Sequence, residues 1–171
     1  TYVYGPQKGV TENQKKQLDE DMAHFAQITS QALGTDYCNT PGAGAAGGLG
    51  FAFLSYLGAT LTPGIELILN AVGLKQELSD ADVVVTGEGR LDFQTAMGKA
   101  PVGVAKLAKK HHAKVIAFAG SVTKEAAACN KEGTDAFFPI LRNICTLAEA
   151  MDSATAKANM TATAEQVFRL L

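Results

Sequence analysis

From Asp82 onward the chain alternates strand-length apolar runs with helix-length segments, and few folds accept that order. Val83-Val-Val85, Lys114-Val-Ile-Ala-Phe-Ala119 and Ala136-Phe-Phe-Pro-Ile140 are the apolar runs, and helical stretches at about 99–110 and 123–131 separate them. Strands alternating with helices of this length build βαβ units, and hence a parallel sheet with helices on its faces. Val83–Val85 and Val115–Ala119 are continuously apolar rather than alternating, as expected of strands covered on both faces. The first strand is expected over 82–86. Three strands fall short of the about five usual in such a sheet, so further strands are expected from outside this sequence. The start at Thr1, without an initiator Met, points the same way.

The first eighty residues read differently. Thr11-Glu-Asn-Gln14 is a capping-box pattern, with Thr at the N-cap and Gln three positions on. Leu18, Met22, Phe25, Thr29, Ala32 and Leu33 then recur at helical spacing, which predicts an amphipathic helix over 12–33 ended by Gly34. His24 has no second potential ligand four residues away, so it reads as a helix-surface residue rather than a metal ligand. Phe51–Leu57 is predicted helical up to Gly58. Thr62-Pro63 opens another helix that closes at Gly73, and a short helical piece follows at 74–79. Near the other end, Thr146-Leu-Ala-Glu149 is a second capping box, opening helical sequence to Leu171 with a break expected around 154–164.

Composition excludes several classes. A hydrophobic content of 47% with 19% charged residues in 171 positions suits a packed globule of one sizeable core or two small ones. The net charge of −2 and the lack of a basic stripe argue against nucleic acid as a partner. Lys109-Lys110 reads as a solvated helix end, where cations suit the dipole. No apolar run reaches the roughly 20 residues that span a bilayer, and the N-terminal residues lack a signal-peptide core. Cys38, Cys129 and Cys145 are odd in number and show no C-x-x-C spacing, which suits reduced thiols and a cytoplasmic location.

Two glycine-rich segments carry the chemistry. Gly42-Ala-Gly-Ala-Ala-Gly47 fits G-x-G-x-x-G, but a dinucleotide fingerprint needs a strand before it. Asp36-Tyr-Cys-Asn-Thr-Pro41 is polar and ends in Pro, which is not a central strand. A dinucleotide-dependent oxidoreductase is therefore the weaker alternative, and a non-catalytic ligand-binding domain is the other. A Gly-rich loop opening a helix can hold an anion on free N–H groups, or its small residues simply permit close helix packing. The second segment, Thr86-Gly-Glu-Gly-Arg-Leu-Asp-Phe-Gln-Thr-Ala-Met-Gly-Lys99, follows a predicted strand. Ligands bind at the carboxyl ends of strands in open α/β sheets, so it reads as an active-site loop. It is not a P-loop, since Phe93 stands where the first Gly is required and Ala100 follows Lys99. Carboxylates beside Arg and Lys suit Mg²⁺ and phosphate handling.

Taken together, several stretches resemble the bacterial glycerate kinase family in order and spacing. They are Tyr4-Gly-Pro-Gln-Lys-Gly9, Pro41–Gly50, Leu57-Gly-Ala59, Pro63-Gly-Ile-Glu66, Val85–Asp92, Gln94-Thr95, Gly98–Pro101, Gly103–Ala105 and Ala117–Gly120. The resemblance implies an α/β fold made of parts of two α/β domains, one with an incomplete flavodoxin-like parallel sheet carrying helices on both faces. Residues 1–80 would belong to the second, inserted domain and 81–171 to the flavodoxin-like one. The chain would be about the C-terminal half of a family member, and the missing N-terminal half its partner across a cleft. The family's upstream motifs, a Pro-Asp-Ser-Phe-Lys-like segment and a Gly-Gly-Ser-x-Thr-Asn-Asp-Gly-Gly-like loop, do not occur in it.

The implied activity is ATP-dependent phosphorylation of glycerate, with the 2-hydroxyl favoured and Mg²⁺ as cofactor, and with this chain inactive by itself. Asp92, or else Glu88, would help deprotonate the attacking hydroxyl or hold Mg²⁺. Arg90 or Lys99 would neutralise the glycerate carboxylate or the transferring phosphoryl group. Gly42, Gly44, Gly47, Gly48, Gly87 and Gly89, with Gln94, Thr95 and Lys8, are the expected substrate or phosphate contacts, and Gln7 is expected near the same cleft. Oligomeric state is left open.

Overall fold

A computed structural model describes residues 1–171, apart from the side chain of Gln7. The chain divides into two compact units, Thr1–Pro63 and Gly64–Leu171. Segment 64–80 falls in the second unit, where Leu74 and Leu78 join the cluster that covers Val84 and Val115 of the sheet. Helix α3 (Gly64–Ala71) lies on α6 (Ala100–Lys109) so closely that a Cβ on Gly103 would overlap Ile65. A glycine facing a β-branched residue lets the two helices pack at short range.

In the second unit β1 (Val83–Leu91), β2 (Lys114–Val122) and β3 (Ala136–Pro139) form a parallel sheet in the order β1-β2-β3. Helices cover both of its faces. On one, Val84 and Val115 pack with Ala105 and Ala108 of α6 and with Leu78. Further along that face Ala117 and Ala119 meet Val102 of α6 and Cys129 of α7 (Ala128–Lys131). On the other, Ile116 and Phe118 pack against Val167 of α9 (Ser153–Phe168). The central strand β2 is thus buried throughout Val115–Ala119, as its unbroken apolar run requires. The edge strand β1 is not covered on both faces as expected, for Val85 is 48% exposed. Three consecutive Val residues favour extended backbone by β-branching whichever face is covered.

The largest departure from expectation is the length of β1. Instead of stopping at Thr86 it runs on to Leu91, with Glu88 opposite Ala119, Arg90 opposite Ser121 and Leu91 opposite Val122. Thr86-Gly87-Glu88-Gly89 reads as a strand end because glycine is depleted in strands. In this sheet the glycines serve the pairing: a Cβ on Gly87 would overlap the Phe118 carbonyl, and one on Gly120 would stand 2.6 Å from the Gly89 carbonyl oxygen. Small residues at these points let two backbones approach.

Other elements fall near their expected places. Segment 123–131 is a 3₁₀ turn at Lys124–Ala127 followed by α7. The C-terminal helical sequence is α8 (Leu147–Met151) and α9, and the break falls at Asp152 rather than within 154–164. Asp152 ends one helix and caps the next by accepting the Thr155 N–H at 2.8 Å, a contact worth roughly 1 kcal/mol. Thr146 and Glu149 close the expected capping box. Lys109 is not simply solvated, since it donates to the Ala113 carbonyl and to Asp135. Asp135 also accepts the Val115 N–H at 2.6 Å, tying the starts of β2 and β3 together.

The first unit holds α1 (Glu12–Leu33) and α2 (Ala45–Leu57), with no strand among the described residues. Phe25 meets Phe51 edge to face at 5.7 Å, and the Thr29 hydroxyl bonds the Tyr56 hydroxyl at 2.9 Å. The apolar stripe of α1 is only half covered, with Leu18 and Phe25 near 40% exposure. In the second unit α4 (Leu74–Glu77) leads into β1, and α5 (Phe93–Ala96) follows it. Among the described residues no helix is long and apolar enough to cross a membrane.

Candidate functional site

The expected site residues divide between the two units. In the second, four of the charged ones lie on one continuous path from strand to helix. Glu88 and Arg90 are on β1, Asp92 is the N-cap of α5, and Lys99 is the N-cap of α6. They are therefore not loop residues, as the early strand end implied, but are held by the sheet and two helix starts. Asp92 Oδ1 accepts the N–H groups of Gln94 at 2.9 Å and Thr95 at 3.2 Å, and Lys99 Nζ stands 3.7 Å from the same oxygen. The Thr95 hydroxyl donates to Glu88 Oε1 and accepts the Asp92 N–H at 3.2 Å. The hydrogen bonds among the described residues fall on Glu88 Oε1 and Asp92 Oδ1, so Oε2 and Oδ2 keep their lone pairs for a ligand.

Two of the expected ligand contacts in this unit are buried. Thr95 is fully buried, and its bonds go to Asp92 and Glu88. Gln94 is 6% exposed, and its Nε2 has no hydrogen-bond partner among the described residues. A buried amide donor without a partner is uncommon and costly, so it is available to a bound molecule or an ordered water. Gly87 is committed to the Phe118 approach, whereas a Cβ on Gly89 would meet nothing within 4 Å.

The first unit holds Lys8, Gly42, Gly44, Gly47 and Gly48. Lys8 ends a 3₁₀ turn, Pro6–Lys8, and is exposed; the Gln7 side chain lies outside the described residues. Gly42 has φ +90°, and the run Ala46-Gly47-Gly48 is left-handed throughout, with φ 51°, 69° and 96°. This run turns the chain sharply at the start of α2. Beside it lies a groove of about 720 Å³, with Met22, Phe25 and Phe51 on its apolar side and Asp19 and Asp21 on α1. No Lys or Arg is among its lining residues, so any anion there would rest on backbone N–H groups and the Asn39 amide. Gly44 has an ordinary φ of −74° and nothing within 4 Å of its would-be Cβ.

One neighbour of the carboxylates was not foreseen. The nearby Thr123 hydroxyl, although it completes no hydrogen bond by geometry, and the backbone N–H of Glu125 favour the Glu125 carboxylate and hold it below the usual range, with Arg90 adding to that and Asp92 opposing it. Glu125 therefore shares the electrostatic field of the site. Its signal in the sequence is position: Ser121–Glu125 lies at the carboxyl end of β2, where open α/β sheets bind ligands. Burial pushes the Cys129 thiol up, and negative charge at Glu88 and Asp92 pushes it further, so this cysteine is an inert packing residue.

A model of the glycerate kinase family matches residues 1–171, the whole chain. The chain belongs to the glycerate kinase family. It is similar to glycerate 2-kinase of Escherichia coli K12, 45% identical over 152 residues, covering 89% of this chain and 40% of that protein. Glycerate kinase of Halalkalibacterium halodurans is 49% identical over 149 residues, covering 87% and 39%. A crystal structure from Salmonella typhimurium LT2, provisionally described as a glycerate kinase 2, superposes with a TM-score of 0.62 at 40% identity. That match covers 99% of this chain and 44% of the solved one. The chain thus spans about two-fifths of the length of the glycerate kinase family members it matches.

Family membership agrees with what the glycine motifs exclude. No strand precedes Gly42 among the described residues, where residues 35–37 are irregular and 38–44 form turns and a bend, so the context of a dinucleotide fingerprint is missing. No group of three or more His, Cys, Asp or Glu among the described residues could hold a metal by itself. Mg²⁺ does not need such a cage, because it commonly takes one or two carboxylates and completes its shell with water and substrate phosphates. Glu88 and Asp92, linked through Thr95, fit that requirement.

Proposed function

We propose that the full-length protein containing this chain is an ATP-dependent, cytoplasmic glycerate kinase that phosphorylates the 2-hydroxyl, and that the chain alone does not turn over. The observation that carries the proposal is the pairing of Glu88 and Asp92 through Thr95, beside Lys99 and Arg90, in a family named for glycerate kinase. Phosphoryl transfer demands little covalent chemistry of the protein. It demands positioning, a group to take the hydroxyl proton, and positive charge for the transferring phosphoryl.

In this reading Asp92 Oδ2 accepts the proton of the glycerate hydroxyl, with Glu88 Oε2 the alternative acceptor. In the alternative assignment these oxygens would instead hold Mg²⁺, which when bound would supply charge neutralisation at the nucleotide phosphates. Lys99 and Arg90 supply cations that a phosphoryl oxygen or the glycerate carboxylate can meet. The N–H groups around Gly42, Gly44, Gly47 and Gly48, with Lys8, would contact phosphate or carboxylate. A segment outside this chain completes the flavodoxin-like sheet and forms the opposite wall of the cleft.

The direct test is Asp92→Asn in the full-length protein. Loss of a positioned proton acceptor lowers turnover about 10²- to 10⁴-fold, read as phosphoglycerate formed from Mg-ATP and glycerate. Turnover within about tenfold of the parent, a barrier change under roughly 1.4 kcal/mol, removes Asp92 from that role. Calorimetric titration of both ligands into the isolated chain and the full-length protein tests the claim about the chain alone.

A further inference from the structure

We propose that Thr95 is a positioning residue, whose hydroxyl sets the Glu88 and Asp92 carboxylates in one fixed relation. The proposal rests on the reading above, in which that pair handles the hydroxyl proton and the phosphate-bound cation. Thr95 is itself out of reach of any substrate, because it is fully buried.

Its bonding capacity is used on both carboxylate residues. A threonine hydroxyl has one proton to donate and two lone pairs with which to accept. The proton goes to Glu88 Oε1, and a lone pair takes the Asp92 N–H at 3.2 Å. The Thr95 backbone N–H returns a third bond to Asp92 Oδ1 at 3.2 Å. Glu88 and Asp92 come from different parts of the chain, the body of β1 and the cap of α5. Two like charges brought together oppose one another, and a glutamate side chain has several rotamers in which to escape. A single shared donor removes both difficulties and leaves one oxygen of each carboxylate open.

A capping role alone would account for the bonds between Thr95 and Asp92 but not for the one to Glu88. A residue that only closes a helix cap affects folding, not the turnover of folded molecules. The two roles are therefore separable by kinetics. Thr95→Val keeps the shape and deletes the hydroxyl, whereas Thr95→Ser keeps the hydroxyl and deletes a methyl group.

The experiment measures kcat and KM for glycerate and Mg-ATP in the full-length protein, with thermal melts to confirm folding. Thr95→Val is expected to lower kcat by about 10- to 100-fold with KM within about threefold, the signature of an interaction made in the transition state. Thr95→Ser is expected to stay within about threefold of the parent in both. If Thr95→Val does not fold, Thr95→Ala takes its place in the comparison with Thr95→Ser. A folded Val or Ala variant with kcat within about threefold of the parent overturns the proposal, as does an equal loss in the Ser variant. Glu88→Gln and Asp92→Asn, measured alongside, locate the failure. If both keep full turnover the underlying reading is wrong; if either is disabled while Thr95→Val is not, only the role of Thr95 is wrong.

Discussion

Gly87 and Gly89 are two residues apart on one strand, and alanine at each has opposite expected consequences. At Gly87 the new methyl would overlap the carbonyl oxygen of Phe118 on β2. That carbonyl cannot yield as a side chain can, because Phe118 is 4% exposed and packed with Ile116 and Val167 in the core. The strands must part instead, at a cost in the upper part of the overpacking range, about 2–3 kcal/mol. Alanine recovers about 0.5–1 kcal/mol of the backbone entropy that glycine loses on folding, leaving a net loss of about 2 kcal/mol. For a chain of this size each kcal/mol lowers Tm by about 2–4 °C, so Gly87→Ala should melt about 4–8 °C below the parent. At Gly89 nothing stands within 4 Å of the added methyl. Gly89→Ala should match the parent or exceed it by up to about 1 kcal/mol. Urea unfolding followed by far-ultraviolet circular dichroism measures both. Because Gly89 lies on β1 between Glu88 and Arg90, the same variant in the full-length protein is expected to turn over at least about tenfold slower, a barrier rise of about 1.4 kcal/mol. Equal destabilisation by the two variants, or none by Gly87→Ala, would falsify the argument from strand approach.

The left-handed conformation of Ala46, φ 51° and ψ 42°, costs an alanine about 1–2 kcal/mol. Ala46→Gly should therefore raise stability by about 0.5–1 kcal/mol after glycine's entropic loss, and a lower urea midpoint would contradict this. Burial raises the Asp135 carboxyl, but the Lys109 ammonium and the Val115 N–H outweigh it and hold it below the usual range. A carboxylate lowered on folding stabilises fully above its unfolded pKa of about 3.9, and that contribution is lost as pH falls through the lower folded value. Asp135→Asn should cost about 1 kcal/mol at pH 7 and flatten the fall in urea midpoint below about pH 4. Glu149 and Asp152 are lowered too, so some acid slope should persist, and an unchanged slope in the variant would exclude Asp135 as its source.

The parallel sheet was legible because βαβ order leaves few alternatives, and Val115–Ala119 is buried as its composition demands. The capping boxes at Thr11 and Thr146 were legible because their partners are local: Gln14 Oε1 accepts the Thr11 N–H at 3.0 Å and Glu149 that of Thr146 at 2.8 Å. What escaped depends on contacts distant in sequence. The run of β1 through Gly87 and Gly89 is stabilised by pairing with residues 118–122, which propensity along one strand does not contain. The bond of Lys109 to Asp135 spans 26 positions, so the lysine looked free. Glu125 escaped because its significance lies in a second strand ending beside the first. Among the site residues, charge type singled out Glu88, Arg90, Asp92 and Lys99, but it could not separate a buried Thr95 from one that meets a ligand.

The length of β1 also bears on how precise the site can be. Had the strand ended at Thr86, Glu88 and Arg90 would sit on a loop whose backbone is free to move. Paired to Ala119 and Ser121, they share the rigidity of the central strand, and elements of this kind hold functional geometry better than loops do. Asp92 then follows at the first position beyond Leu91, itself fully buried, and starts α5 as its cap. Gly98, with φ +107°, turns the chain from α5 toward α6, whose N-cap is Lys99. The charged residues of the set are thus placed by strand pairing for Glu88 and Arg90 and by helix caps for Asp92 and Lys99. It follows that the arrangement of Glu88, Asp92 and Lys99 should form with the second unit alone, and that reagents or variants loosening the β1–β2 edge should disorder the site before the rest of the sheet unfolds.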